Sequence, residues 1–153
     1  RSFTTGAWRM ISHKLVLVVG VFDPLHYGHV RHFKAAKALG NQLVVSVTKD
    51  SHVNKGPRRP VFNEKQRMEM VRELRCVDMA IFSESAAEAL RIIKPHIFAL
   101  GWEYKTRVQP EHRAYCEQMG IEIAFTNEPI FSSTDLLHYY DRPMATSPKG
   151  SAR

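Results

Sequence analysis

Two histidines flank a tyrosine and a glycine, His26-Tyr27-Gly28-His29, where an apolar valine-rich run, Leu15–Val21, gives way to a helical pattern. An imidazole can donate a hydrogen bond to a phosphate oxygen. Gly28 lacks a Cβ and lets a ligand approach the backbone closely. The amides and dipole of a helix that starts there would face a bound anion. Such donors can neutralise charge growing on a pentavalent phosphorus and on a departing pyrophosphate. The residues alone leave other uses open. A single histidine at such a place is more commonly an ordinary surface or half-buried residue. His26, His29 and His32 could in principle bind a metal. However, positions i, i+3 and i+6 drift round a helix, and no cysteine or close carboxylate joins them. A dinucleotide-binding glycine loop is a poor match, because G-x-G-x-x-G is absent.

The elements that must position these residues can be read from periodicity. Leu15–Val21 reads as a strand buried on both faces. Gly28 to Leu39 reads as a helix, with Val30, Phe33, Ala36 and Ala38 at helical spacing and Gly40 as C-cap. Gln42–Thr48 is a second strand, and Lys49–Phe62 is a basic loop broken by Gly56, Pro57 and Pro60. Asn63 starts a helix, with Gln66 as capping-box partner and Met68, Val71 and Leu74 on one face. Asp78–Phe82 is a short strand. Ser85 with Glu88 opens a helix through Lys94, which Pro95 ends, and His96–Leu100 is a fourth strand. Pro110–Met119 is helical with Gly120 as cap, and Ile121–Phe125 is a fifth strand. Ser133 or Thr134 caps a last helix to Tyr140.

Strands therefore alternate with helices five times, which predicts an α/β fold: a Rossmann-like, doubly wound, five-stranded parallel sheet with helices on both faces. Ligands of such sheets bind beyond the carboxyl ends of the strands, where strand order reverses. Residues 14–141 are the expected domain, with 1–13 a leader or linker and 142–153 a tail of linker composition.

At 153 residues the chain is about one domain. Its longest apolar run, Leu15–Val19, is far short of a membrane span. The first dozen residues do not have the pattern of a secretory signal. Cys76 and Cys116 read as two reduced thiols of a cytoplasmic protein, too few for a disulfide scaffold and too far apart for a zinc site. The net charge of +7 favours anionic partners.

"GVFDPLHYGH" resembles the H-x-G-H signature of the nucleotidyltransferase superfamily that includes the cytidylyltransferases, set in the longer pattern G-x-F-D-x-x-H-x-G-H. "IFSSTDLL", Ile130–Leu137, is similar to the I-S-[ST]-T segment of the same superfamily. The resemblance runs from Lys14 to Tyr140. It implies that His26, His29, Lys55 and Arg67 are catalytic. It also implies that Gly20, Val21, Phe22, Asp23, Gly28, Gly101, Glu103, Ser132, Ser133 and Thr134 bind the nucleotide, with the three hydroxyls at its β/γ end. Read alone, Ser132–Thr134 would be a plain N-cap, and Lys55 and Arg67 would be solvated surface charges. Mg²⁺ is implied as a cofactor held mainly by substrate phosphates, with Asp23 a candidate ligand or supporting group. Trp102 and Tyr104 read equally as nucleotide contacts or as rim packing.

Within the superfamily the chain looks most like the nucleotidyltransferase half of sugar-kinase/nucleotidyltransferase chains such as those making ADP-heptose. It shares "GVFD", "NKGPRRPVF", "EKQR" and "CVD" with them. It is more distant from the glycerol-3-phosphate cytidylyltransferases, because "NEPIF" lacks their arginine and Val21 replaces a threonine. The implied reaction moves a nucleoside monophosphate from ATP or CTP to a sugar- or polyol-phosphate and releases pyrophosphate. A glycerol-3-phosphate-type cytidylyltransferase, or a nucleotide-binding module without catalysis, is the alternative. The expected partners are the triphosphate and a phosphorylated acceptor, with no nucleic acid and no membrane. A homodimer, and fusion or coupling to a sugar kinase, are also expected.

Overall fold

The apolar run at the front of the chain forms the central strand of a sheet. A computed structural model describes residues 13–127 and 133–140. Among them, β1 (Leu15–Gly20), β2 (Gln42–Thr48), β3 (Met79–Ser83), β4 (Ile97–Gly101) and β5 (Glu122–Thr126) form one sheet. Its order is β3-β2-β1-β4-β5, and every pairing is parallel. The helices are α1 (Tyr27–Ala38), α2 (Glu64–Arg72), α3 (Ala86–Ile93), α4 (Pro110–Met119) and α5 (Ser133–Tyr140). Short 3-10 turns lie at Asp50–His52 and Trp102–Tyr104.

Alternation along β1 builds two cores. Val16 and Val18 pack with Phe33 of α1 and with Met68 and Val71 of α2. Leu17 packs on the other side with Leu90 of α3, Phe98 of β4 and Cys116 of α4. The expected doubly wound, Rossmann-like arrangement is therefore present. Cys76 packs against the first core and Cys116 belongs to the second. Among the described residues no helix is long and apolar enough to cross a membrane.

The register explains where the sheet opens. β1 pairs with β2 from Leu15↔Gln42 to Gly20↔Val47, and β4 pairs with β5 out to Gly101↔Thr126. Between β1 and β4 the register covers only Val16↔Ile97 and Leu17↔Phe98. Toward their carboxyl ends these two central strands part, and this is also where the strand order reverses. Both conditions for a ligand crevice meet at one place.

Several boundaries differ from expectation for local reasons. β1 stops at Gly20, before Val21, whose carbonyl accepts from the Arg67 guanidinium instead of a neighbouring strand. β3 begins after Asp78, whose carboxylate accepts from the Leu43 amide and pairs with Lys37. Gly40 is not the C-cap of α1: Leu39 is, in right-handed conformation. Gly40 is instead a close approach, because a Cβ there would lie 2.6 Å from the Lys14 carbonyl oxygen. Asn63 and Gln66 form the expected reciprocal box. At α3 the Ser85 hydroxyl caps Glu88, but the Glu88 carboxylate reaches back to the Glu84 amide, not to that of Ser85. Gly120, with φ +67, is the expected left-handed cap of α4. Neither Ser133 nor Thr134 caps α5, because the helix starts at Ser133. Ser132, residues 1–12 of the proposed 1–13 leader and the proposed tail lie outside the described residues.

Candidate active site

The crevice between β1 and β4 is a cleft of about 330 Å³. Gly20, Val21, Phe22, His26, Gly28, His29, Lys55, Gly101 and Glu103 all line it, so it gathers most of the residues that the sequence marks.

Its shape begins with Gly20. A Cβ there would lie 2.7 Å from two ring carbons of Phe22. Phe22 turns back over Gly20 with φ +54, a left-handed conformation that costs a non-glycine residue energy. The turn wedges its ring edge-on between His29, at 5.2 Å, and Phe33, at 5.0 Å. Phe22 thus acts as a support for the second histidine.

His26 is the N-cap of α1. Its Nδ1 accepts from the Gly28 amide at 3.1 Å, and His29 Nδ1 accepts from the His26 amide at 3.2 Å. The two imidazoles form a reciprocal capping box, a part usually played by Ser/Thr and Glu/Gln. They stack with centroids 3.7 Å apart. Because each Nδ1 uses its lone pair on an amide, a neutral ring carries its proton on Nε2. Burial lowers the pKa of His29 to about 3, with His26, His32 and Lys55 adding repulsion. Burial and then Lys55 lower that of His26 as well. Two neutral N–H donors therefore stand at a helix N-terminus. Desolvation, with the Arg59 guanidinium nearby, also pushes the Lys55 ammonium down.

Asp23 is fully buried, and its carboxylate accepts from Arg59 Nε at 2.9 Å, the Val61 amide at 2.8 Å and the Phe62 amide at 2.9 Å. Burial raises its pKa, but these donors outweigh it and hold the carboxyl below its ordinary range. Arg59 also donates to the Asp23 carbonyl and lies 3.5 Å from Thr134 Oγ1. Asp23 is thus a latch for the basic loop, with its oxygens already engaged by protein donors. Such a group does not fit the part of a magnesium ligand.

Arg67 does not reach the cleft. It is fully buried, and it donates to the Phe62 carbonyl (2.9 Å), the Val21 carbonyl (2.8 Å) and Asp50 Oδ1 (2.6 Å). These bonds tie the turn after β1 to the basic loop. Ser133 donates to the Pro24 carbonyl at 3.0 Å, so its hydroxyl braces the same turn. The structure therefore places Arg67, Asp23 and Ser133 behind the cleft wall, and Thr134 beside Arg59.

At the β4 end, a Cβ on Gly101 would lie 2.4 Å from a Glu103 carboxylate oxygen, so Glu103 folds back over the glycine. Tyr104 lines the cleft, whereas Trp102 carries Lys105 on its ring face at 4.0 Å. Sequence reasoning missed Thr126, Arg107, Gln109 and His112, and it weighed His32 only as a metal ligand. Thr126 lies one residue past the strand end expected at Phe125, and that place at the carboxyl edge of the sheet was a usable signal for it. Nothing in "TRVQPEH" marked the others.

A cleft at the switch point of a Rossmann-like sheet, with neutral imidazoles at a helix N-terminus and a lysine beside them, is the arrangement of an α/β domain whose site suits an anionic ligand. The chain belongs to the cytidylyltransferase-like family of nucleotidyltransferase enzymes, whose model matches residues 17–138. It is 47% identical to the FAD synthase of Methanosarcina mazei over 92 residues, which cover 59% of this chain and 60% of that protein. It is 38% identical to the bifunctional protein HldE of Pelobacter propionicus over 95 residues, 60% of this chain and 20% of HldE. Among solved structures it resembles the lipopolysaccharide core biosynthesis protein from Thermoplasma volcanium. The TM-score is 0.63 and the identity 31%, covering 78% of this chain and 98% of that one. The match to HldE agrees with the motif resemblance to sugar-kinase/nucleotidyltransferase chains. The similarity to FAD synthases is a finding that the motifs did not suggest.

Proposed function

We propose that the chain transfers a nucleoside monophosphate from a nucleoside triphosphate to the phosphate of a small acceptor. An acceptor phosphate oxygen attacks the α-phosphorus in line, the bond to the β-phosphate oxygen breaks, and pyrophosphate leaves. The acceptor phosphate is already ionised near neutral pH, so the reaction needs little general-base help. Catalysis is then positioning and charge stabilisation. The observation that carries this reading is the stacked His26–His29 pair, with both Nδ1 atoms engaged by amides and both rings lining the cleft. Nε2–H groups of this pair would donate to the α-phosphate and to the departing oxygen. Lys55 would neutralise the triphosphate, and Glu103 at Gly101 would meet the nucleoside. Arg67 and Asp23 act indirectly, by holding the turn that carries these groups.

Magnesium would enter with the triphosphate, held by phosphate oxygens and water, since Asp23 is engaged elsewhere. The relatives named FAD synthase support ATP as donor. FAD is an adenylate joined to a flavin through the phosphate of a ribityl chain, so its precursor is itself a polyol phosphate. That keeps the acceptor within the class of polyol- and sugar-phosphates, with riboflavin phosphate the first to test.

Pyrophosphate release should be measured with ATP and with CTP against riboflavin phosphate, glycerol 3-phosphate and a sugar 1-phosphate. Turnover that requires one triphosphate and one acceptor is expected, falling about 100- to 1,000-fold in His29→Ala. Near-normal turnover in that variant would refute the assigned role of the histidine pair. Absence of nucleotide binding would refute the whole reading.

A further inference from the structure

His32 lies one helical turn beyond His29, on the same cleft-facing side of α1, and no role in the reaction above calls for it. Its Nδ1 is 2.6 Å from the Oγ1 of Thr126, the last residue of β5, which is 5% exposed. This ring is therefore fixed in orientation by a buried hydroxyl from another element. Its surroundings differ from those of His26 and His29. Lys55 provides the ammonium at the phosphate end of the proposed reaction, beside the His26–His29 pair. His32 stands about 4.5 Å further along the helix axis than His29. The same cleft is lined by Leu100 and Val108 and by the polar or charged side chains of Glu103, Arg107, Gln109 and His112. A cleft that combines apolar walls with convergent polar groups suits a planar heterocycle with hydrogen-bonding edges.

Resting on the nucleotidyl-transfer reading, we propose that His32, oriented by Thr126, is a specificity-determining residue that reads the edge of the nucleobase. A histidine held in place by a hydroxyl at Nδ1 presents its Nε2 to that edge in a fixed position, and a base with no matching group there leaves a polar group unpaired. Thr126 is then a positioning residue: its hydroxyl holds the orientation of the His32 ring without touching the base.

The test is direct binding of ATP, CTP, GTP and UTP by calorimetry in the presence of Mg²⁺, which needs no acceptor. Wild type, His32→Leu, His32→Gln and Thr126→Val would be compared. Wild type should prefer one base, and His32→Leu and Thr126→Val should both reduce that preference by about tenfold. His32→Gln should alter the order of preference, since an amide offers both a donor and an acceptor. If His32→Leu does not fold, the glutamine and valine variants carry the same comparison. Equal weakening toward all four nucleotides, no change in any of them, or no preference in wild type would each overturn the assignment. Wild-type chain that binds none of the four would instead sink the nucleotidyl-transfer reading on which it rests.

Discussion

At the scale of single residues, the site depends on histidines kept neutral. The folded-state pKa of His29, about 3, lies below its ordinary value of 6.5. Between those values the unfolded chain binds the extra proton and the folded chain does not, so stability rises with pH across that window. It should be complete above about pH 6.5 and be lost progressively as pH falls toward 3. Urea melts from pH 7 to pH 4 are expected to show this decline, and His29→Gln should flatten it. Gly20 carries a second expectation. Its substitution by alanine drives a methyl group into the Phe22 ring, which is itself wedged against His29 and Phe33. Gly20→Ala should cost about 1–3 kcal/mol of stability. It should also lower kcat, because the ring that supports His29 must move. A variant with wild-type melting and turnover would show that Phe22 has room to yield.

At the scale of elements, the turn after β1 is held from three directions. The basic loop reaches it through Asp23, α2 through Arg67 and α5 through Ser133. Asp23 is the centre of this arrangement because one carboxylate satisfies two loop amides and a guanidinium. Asp23→Asn leaves Arg59 beside a neutral group. Since Arg59 is only 8% exposed, the loss should be of the order of 3–5 kcal/mol. The same variant separates a latch from a metal ligand. A latch predicts a lower midpoint in urea with an unchanged Mg²⁺ dependence of turnover in the folded enzyme. A metal ligand would shift the Mg²⁺ concentration needed for half-maximal rate. The sequence showed Asp23 and Arg67 as members of motifs. It could not show that they spend their hydrogen bonds on backbone, because those partners are carbonyls and amides up to 46 residues away.

At the scale of the whole molecule, the +7 charge and the open switch point act together. An excess of positive charge attracts a triphosphate over distances that salt shortens. The KM for the triphosphate is expected to rise several-fold between about 10 mM and 200 mM monovalent salt, with kcat changing less. A KM independent of salt would mean that affinity comes from the cleft contacts alone.

The strand-helix alternation, the place of each element to within a residue or so, and the pairing of His26 with His29 at the start of α1 were determined by the sequence itself. Period-two and helical patterns, capping residues and a short contiguous motif are local properties, written within a few residues of one another. Only the tertiary structure decided that Arg67 turns inward, that Asp23 latches a loop and that His32 meets Thr126. These contacts join residues 36 to 94 positions apart, and no local pattern records which side chains a folded sheet brings within hydrogen-bond reach.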